Sequence, residues 1–332
     1  MQQRQLGPFT VSAIGLGCMN FSHAYGAPPP PEVSEALIHR ALDLGCTLFD
    51  TAALYGFGTN EVLVGRVLKA HRHEITLCSK GGMAGESFPD GVKRVIDGRP
   101  ATIRRHCEES LARLGTDVID LYYLHRWDKS VPIEDSVGML SDLVRAGKVR
   151  TIGLSEVSAS TLRKAHAVHP ITAVQTEYSL WSRNPEIAVL DACRELGASF
   201  VAFSPLARGF LTGQLRDVSG FAANDIRRHM PRFTPENYAA NLKLLDGYMA
   251  VVKDVGCSPA QLALAWLLNK APHLIALPGT QNMAHLEDDL AGSDVTLTPQ
   301  QMQTLDALIN QNTVHGARYN AQNAAEVDTE TF

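Results

Sequence analysis

Along most of the chain, short apolar segments of strand length alternate with longer amphipathic segments of helix length. The amphipathic segments include 33–44, 101–114 and 187–196. The strand-like segments are 13–16, 47–50, 75–79, 118–124, 149–154, 173–176, 199–203 and 274–277. Alternation of this kind predicts parallel βαβ units in an α/β protein. Eight such units favour a closed (β/α)8 barrel, the TIM-barrel architecture, over an open sheet.

The connecting segments add detail to this prediction. A Gly-Pro pair at 7–8, flanked by apolar residues, predicts a short β-hairpin before the barrel. The segment 235–270 has the pattern of two helices, one more than the repeat needs, so extra helices are expected near the C-terminus. The loops 81–100 and 205–235 exceed ordinary connections and are expected to carry function. The polar tail from about residue 312 is expected to be extended.

Composition limits the class of protein. The 332 residues are 45% hydrophobic and 20% charged, as in globular proteins, and α/β barrels of this length form one domain. A net charge of −5 makes nucleic acid and anionic membranes poor partners. The sequence shows neither a signal-peptide pattern nor an apolar run of about 18 residues. Six cysteines without a C-x-x-C pair indicate reduced thiols. We therefore expect one domain over 1–332, in the cytoplasm and without a metal.

Four residue types suited to proton transfer lie near the ends of neighbouring predicted strands. Asp50 ends the second strand and Tyr55 follows it, while Lys80 and His125 follow the third and fourth strands. Each has an ordinary structural interpretation by itself, as a cap, a buried ion pair, a turn aromatic or a core histidine. Because barrel enzymes carry their chemistry at the carboxyl ends of the strands, the four together predict an active site.

This set resembles the Asp-Tyr-Lys-His tetrad of the aldo-keto reductase superfamily. Further segments resemble the superfamily in the expected order along nearly the whole chain: G-L-S at 153–155, Q-T-E-Y-S-L-W at 175–181, S-P-L-A-R-G at 204–209 and L-P-G-T at 277–280. The resemblance is closest to the bacterial and fungal branch with E-Y-S-L-W and S-P-L-x-R-G-F-L-T-G patterns. It implies an oxidoreductase that moves hydride between a nicotinamide cofactor and a small carbonyl compound.

The chemistry explains why these residue types are needed. A carbonyl that accepts hydride develops negative charge on oxygen and needs a proton donor there, a role expected of Tyr55. Lys80 is expected to lower the pKa of Tyr55, and Asp50 to keep Lys80 charged and oriented. His125 is expected to donate a hydrogen bond to the substrate oxygen. The hydride itself comes from the reduced nicotinamide.

The sequence has no complete Rossmann motif, so a separate dinucleotide-binding domain is not expected. The resemblance implies instead that the cofactor lies across the barrel mouth. Ser155 and Gln175 are expected to bind the nicotinamide carboxamide, and Phe203 to stack on the ring. The residues expected to line the pyrophosphate are Ser204, Pro205, Leu206 and Arg208. Glu156 stands where the family commonly has Asn.

The adenosine end is expected beyond the eighth strand. The residues implied there are Pro278, Gly279, Thr280, Gln281, Asn282, His285, Asp288 and Asp289. NADPH is the expected cofactor and NADH is possible, because neutral donors and helix-start amides at 279–282 suit a 2′-phosphate. His285 is the one nearby group able to become cationic, and Asp288 is expected either to partner it or to repel the phosphate. Asp289 stands where the family usually has Asn.

Apolar side chains in the loops of the mouth are expected to form the substrate pocket. They are Met19, Phe21, Phe57, Met83, Trp127 and Trp181. Such a pocket favours aromatic or medium-chain aldehydes over free sugars.

Two other functions stay open at this point. A non-catalytic protein that binds a nicotinamide cofactor on the same fold is the first, because fold does not fix function. A metal-dependent barrel hydrolase or isomerase with Asp50 and His125 as ligands is the second, although few other ligands stand at strand ends. The oligomeric state is not predicted.

Overall fold

Eight parallel strands form the centre of the structure, a computed structural model that describes residues 1–332. In chain order, the strands are β1 (Gln3–Leu6), β2 (Phe9–Ser12), β3 (Leu16–Gly17), β4 (Leu48–Asp50), β5 (Thr76–Gly81), β6 (Met83–Phe88), β7 (Gly91–Ile96), β8 (Ile119–Leu124), β9 (Val149–Ser155), β10 (Ala173–Glu177), β11 (Ser199–Phe203) and β12 (Leu274–Leu277). The barrel strands hydrogen-bond in the order β3-β4-β5-β8-β9-β10-β11-β12. A parallel bridge between Ile14 and Ala276 joins the two ends of this order and closes the barrel, as predicted.

Helices connect the strands and pack on the outer face of the sheet. They are α1 (Pro31–Asp43), α2 (Thr59–Leu68), α3 (Pro100–Leu114), α4 (Ile133–Arg145), α5 (Ala159–Val168), α6 (Val189–Leu196), α7 (Pro235–Leu242), α8 (Leu244–Val255), α9 (Pro259–Lys270), α10 (Met283–Ala291), α11 (Pro299–Leu308) and α12 (Ala321–Ala325). None of them combines the length and apolar character needed to cross a bilayer.

The predicted N-terminal hairpin is present as β1 and β2, and it closes one end of the barrel. Its Leu6 and Val11 are fully buried among side chains of the barrel interior, which include Leu121. The backbone N–H of Ser12 donates to Oγ1 of Thr47, just before β4 (2.8 Å). Since the hairpin covers the end where the strands begin, ligands reach the barrel from the carboxyl ends of the strands.

Two segments differ from the prediction, and a third adds detail to it. The first barrel strand is only Leu16–Gly17, because residues 13–15 make single hydrogen bonds with Ala276 instead of a continuous ladder. The long loop 81–100 contains the antiparallel hairpin β6–β7. The segment 235–270 forms three helices instead of two, since the backbone tightens at Lys243, whose N–H bonds three residues back, to Ala240.

The C-terminal tail is not simply extended. It contains α12 and folds back over the barrel mouth, where Lys129 Nζ donates to the carbonyl oxygens of Ala325 (2.9 Å) and Val327 (2.8 Å). Asp328 accepts hydrogen bonds from the N–H and hydroxyl of Ser158, the residue that caps α5. Because a helix start leaves N–H donors free, carboxylates of the tail find partners there.

Candidate active site

A cavity of about 950 Å³ opens at the carboxyl ends of the barrel strands. Asp50 at the end of β4, Tyr55 and His125 line this cavity. Lys80, near the end of β5, lies directly behind them and is fully buried. Since β4 pairs with β5 and β5 with β8, the sheet register brings the four predicted catalytic residues to one place.

Lys80 is the centre of this group. Its ammonium forms an ion pair with the carboxylate of Asp50. The same nitrogen donates to the carbonyl oxygen of Thr51 (2.9 Å) and to the hydroxyl of Tyr55 (3.3 Å). An ammonium has three donors and no acceptor, so these three oxygens satisfy it completely.

Burial and charge act in opposite directions on the two proton-carrying groups. Burial lowers the pKa of Lys80, but Asp50 and Tyr55 outweigh this and raise it to about 12, so the side chain stays an ammonium at neutral pH. Burial also raises the pKa of Tyr55 above its ordinary value, and Lys80 opposes this rise without cancelling it. The expected lowering of this pKa is therefore not the net result, and Tyr55 keeps its proton at neutral pH.

His125 lies against Tyr55, with the ring centroids 5.7 Å apart and the ring planes nearly perpendicular. Burial and the positive charges of Lys80 and Arg126 hold the pKa of His125 well below its ordinary value. The imidazole is therefore neutral. Its Nδ1 is buried without a hydrogen-bond partner, so Nε2 is the nitrogen that faces the cavity. A proton on Nδ1 would leave a buried N–H without an acceptor, so the proton is expected on Nε2.

The residues predicted at the nicotinamide end connect to this group. The amide nitrogen of Gln175 donates to Oδ2 of Asp50 (2.9 Å), which leaves the amide oxygen of Gln175 free to accept. The hydroxyl of Ser155 accepts a hydrogen bond from Arg126 (3.3 Å). Phe203 lines the cavity beside them. All other residues predicted to contact the cofactor line the same cavity, from Ser204 to Asp289.

At the predicted adenosine end, the chain after β12 closes tightly on the loop after β3. Asn20 donates to the carbonyl oxygen of Gly279 (3.0 Å), and Gln281 donates back to the carbonyl of Asn20 (2.5 Å). A Cβ on Gly279 would meet the carbonyl oxygen of Gly17 at 2.7 Å, so only glycine fits there. Asn282 caps α10 by accepting from the N–H of His285 (3.2 Å).

The two acidic residues near this end have different environments. Asp288 does not partner His285, because its carboxylate accepts from Ser258 (2.6 Å) and Gln261 (2.8 Å) at the start of α9. Asp289 is almost fully buried, and burial with the neighbouring Asp288 raises its pKa to about 8. At neutral pH, Asp289 is therefore mainly uncharged and can donate a hydrogen bond, as an Asn would.

Two other charged residues that the sequence analysis singled out are neutralised by protein partners. Arg208 pairs with Glu177 (2.7 Å) and donates to the hydroxyl of Tyr25 (3.2 Å). Glu156 is buried and pairs with Arg318 of the tail (2.7 Å). Glu156 does not line the cavity. Glu156 stands where the family commonly has Asn, and it adds no free carboxylate to the predicted cofactor site.

The substrate side differs most from the prediction. Met19 and Met83 line the cavity, but Phe21, Phe57, Trp127 and Trp181 do not. Trp181 is buried in an aromatic cluster, 4.3 Å between ring centroids from Phe210. Phe21 is also in the core, Trp127 packs against the core with its indole N–H bonded to Val131, and Phe57 is half-exposed outside the cavity. Four of the six predicted apolar contacts are therefore absent from the pocket.

Charged and polar residues take their place. His23 stacks on the ring of Tyr55, with centroids 6.2 Å apart. Arg126, Arg94 of the β6–β7 hairpin and Glu326 of the tail also line the cavity. The position of Arg126 directly after His125 was a signal available in the sequence, but nothing local indicated that the hairpin and the tail reach the mouth.

A barrel with a protonated tyrosine and a buried ammonium beside a large cavity at its mouth has the form of an oxidoreductase that uses a bound cofactor. The cofactor is needed because protein side chains supply no hydride. Comparison with known families agrees with this class. A sequence model described as "Aldo/keto reductase family" matches residues 13–310. The chain belongs to the aldo/keto reductase family and is an oxidoreductase.

Several relatives cover nearly the whole chain. "Aldo-keto reductase yakc [NADP(+)]" of Schizosaccharomyces pombe is 41% identical over 321 residues, which span 95% of this chain and 94% of the relative. The structure of the glycerol dehydrogenase AKR11B4 from Gluconobacter oxydans is similar with a TM-score of 0.83 and 29% identity, over 92% of this chain and 94% of that one. The holo form of the aldo-keto reductase AKR11C1 from Bacillus halodurans has a TM-score of 0.76 and 26% identity, over 97% and 99%.

Replacing the buried carboxyl of Asp289 should make the protein more stable at alkaline pH. Its pKa of about 8 in the folded state exceeds the ordinary 3.8, so this group destabilises the fold progressively as pH rises between these values. We expect Asp289→Asn to raise the free energy of unfolding at about pH 8.5 by a few kcal/mol, with about 6 kcal/mol as the upper limit. The gain should vanish toward about pH 4.

Urea unfolding across this pH range measures the effect. Asp117→Asn, at an exposed acid without an ion pair, is the matched control and should leave the pH dependence of wild type unchanged. Parallel curves for wild type and Asp289→Asn would show that Asp289 is ionised in the folded protein.

Proposed function

We propose that the protein reduces an aldehyde or ketone to an alcohol with NADPH, and that Tyr55 donates the proton. The observation that carries this proposal is the buried Lys80 ammonium held between Asp50 and the hydroxyl of Tyr55 at the cavity wall. The NADP(+) in the name of the Schizosaccharomyces pombe relative supports the choice of cofactor.

The environment of Tyr55 suits a proton donor for reduction. Its raised pKa means that the phenol is fully protonated before the reaction. When the carbonyl oxygen takes this proton, the phenolate that remains lies 3.3 Å from the Lys80 ammonium, which stabilises the new negative charge. When bound, the reduced nicotinamide supplies the hydride.

His125 positions the carbonyl in this scheme. The neutral ring can offer an N–H at Nε2 to the carbonyl oxygen without adding a competing acid. With Tyr55 beside it, the oxygen receives two donors, which fixes its direction and supports the developing charge.

The residues of the cavity fit a dinucleotide. Gln175 presents a free amide oxygen and Ser155 a hydroxyl, the groups that a carboxamide needs. The start of α10 and the turn before it offer N–H groups and neutral side chains to a phosphate at the other end. Asp288 is turned toward α9 and Asp289 is mainly uncharged at neutral pH, so the acidic pair does not exclude the 2′-phosphate.

Removing the hydroxyl of Tyr55 should remove most carbonyl reduction. General acid catalysis contributes about 10²- to 10⁴-fold in rate, so Tyr55→Phe should lower kcat by a factor in that range. NADPH affinity, measured by fluorescence quenching, should change little. Near wild-type turnover in Tyr55→Phe would refute the assignment, and nicotinamide binding without turnover of any carbonyl by wild type would instead favour a non-catalytic binding protein.

The choice of NADPH over NADH should depend on His285. This side chain lines the cavity near the predicted phosphate site, where an imidazole can donate a hydrogen bond to a phosphate oxygen. His285→Ala should therefore lower the ratio of kcat/KM for NADPH over NADH.

His73→Ala, at an exposed histidine, is the matched control and should keep the wild-type ratio. A wild-type ratio below one would contradict the NADPH assignment. A ratio that His285→Ala leaves unchanged would remove His285 from the site.

A further inference from the structure

Four arginines line the cavity, and three of them have a carboxylate partner. Arg94 pairs with Glu326 (2.5 Å), Arg208 with Glu177 (2.7 Å) and Arg227 with Asp225 (2.7 Å). Arg126 forms no ion pair with any residue of the chain. A half-buried guanidinium without a counterion is costly, so the charge of Arg126 indicates that this part of the cavity receives an anion.

Neighbouring groups hold the guanidinium of Arg126 in place. One terminal nitrogen donates to the carbonyl oxygen of His125 (2.7 Å) and to the hydroxyl of Ser155 (3.3 Å). These contacts use only part of its five N–H donors. The remaining donors have no acceptor in the protein, and a planar guanidinium is well suited to bind a carboxylate.

The place of Arg126 indicates which molecule brings the anion. Arg126 follows β8, directly after His125, at the end of the cavity where the carbonyl is reduced. The phosphates of the proposed cofactor are expected at the turns after β11 and β12, where Arg208 and the start of α10 lie. The cofactor therefore brings no phosphate to Arg126, and the substrate is the remaining source of negative charge.

The surroundings agree with an anionic substrate. The one carboxylate of the tail on this side, Glu326, is occupied by Arg94. The apolar residues Phe57 and Trp127, expected to favour uncharged aldehydes, lie outside the cavity. Both Arg126 and Arg94 contribute positive potential at His125, where the carbonyl oxygen is to be bound.

We propose that the natural substrate is a carbonyl compound that carries a carboxylate, and that Arg126 binds this carboxylate while Tyr55 and His125 hold the carbonyl oxygen. This inference rests on the proposed function, since it names the substrate class of the same site. Arg126 is then a residue that determines specificity.

Matched aromatic aldehydes test the inference directly. The 2-, 3- and 4-formylbenzoates place a carboxylate at three distances from the aldehyde, and the corresponding nitrobenzaldehydes are neutral molecules of similar size. A charge-assisted contact should make kcat/KM for at least one formylbenzoate about 10- to 100-fold higher than for its nitro counterpart. A wild-type ratio near or below one at all three positions, with the nitrobenzaldehydes turned over, would overturn the inference and leave the proposed function intact. Absence of turnover with every aldehyde would overturn both.

Variants then assign the effect to Arg126. Arg126→Gln should bring the ratio of kcat/KM for the preferred formylbenzoate over its nitro counterpart close to one. Arg126→Lys should keep part of this preference, because lysine keeps the positive charge but cannot bind a carboxylate through two parallel hydrogen bonds. Arg228→Gln is the matched control: it removes an exposed arginine outside the cavity that also has no carboxylate partner, so the preference should remain within about 3-fold of wild type. A full preference in Arg126→Gln would overturn the assignment. Because each variant is judged by a ratio of two substrates, a loss of folded protein does not imitate the expected result.

Discussion

The ion pair between Lys80 and Asp50 is the interaction on which the site depends. An ammonium can remain charged in a barrel interior only with a counterion and with every donor satisfied. Asp50 supplies the charge through one oxygen and binds Gln175 through the other. Because β4 and β10 lie on opposite sides of the eight-stranded order, this second contact spans the barrel. The proposed proton donor and the end of the cavity proposed for the nicotinamide are therefore fixed relative to each other.

In the proposed function, the same pair lets Tyr55 act in both directions of the redox reaction. Burial keeps the phenol protonated, so the proposed donor is ready for reduction. The fixed charge of Lys80 lowers the cost of the phenolate left after the proton transfer. The neutral His125 offers a hydrogen-bond donor to the carbonyl oxygen in this scheme. The guanidinium of Arg126 adds positive potential at His125 and Tyr55. Electrostatic stabilisation here comes from groups already in place before the substrate arrives.

The sequence predicted the parts of the molecule that depend on local pattern. Strand ends follow from the pattern of apolar residues, so the positions of Asp50, Lys80 and His125 near neighbouring strand ends were predictable without a structure, and their catalytic roles stay predictions. The residues predicted to bind the cofactor from motifs after the later strands line one cavity. The directions of loop side chains depend on distant partners. Trp181 faces the core because Phe210 and Phe233, far along the chain, surround it, and no local pattern shows that the tail returns to the mouth.

The pH dependence of the two reaction directions tests the central claim most directly. Reduction consumes one proton, so its apparent equilibrium constant falls about tenfold per pH unit for any catalyst. At saturating cofactor, and with the dissociation constants of NADPH and NADP⁺ measured at each pH, kcat/KM for the alcohol must rise accordingly relative to kcat/KM for the carbonyl. If Tyr55 keeps its proton through about pH 9.5, reduction should be nearly flat between about pH 7 and that value, and alcohol oxidation should carry the whole increase. Reduction that falls about tenfold per unit while oxidation stays flat would show a donor already ionised at neutral pH, and would contradict this account of Tyr55 and Lys80.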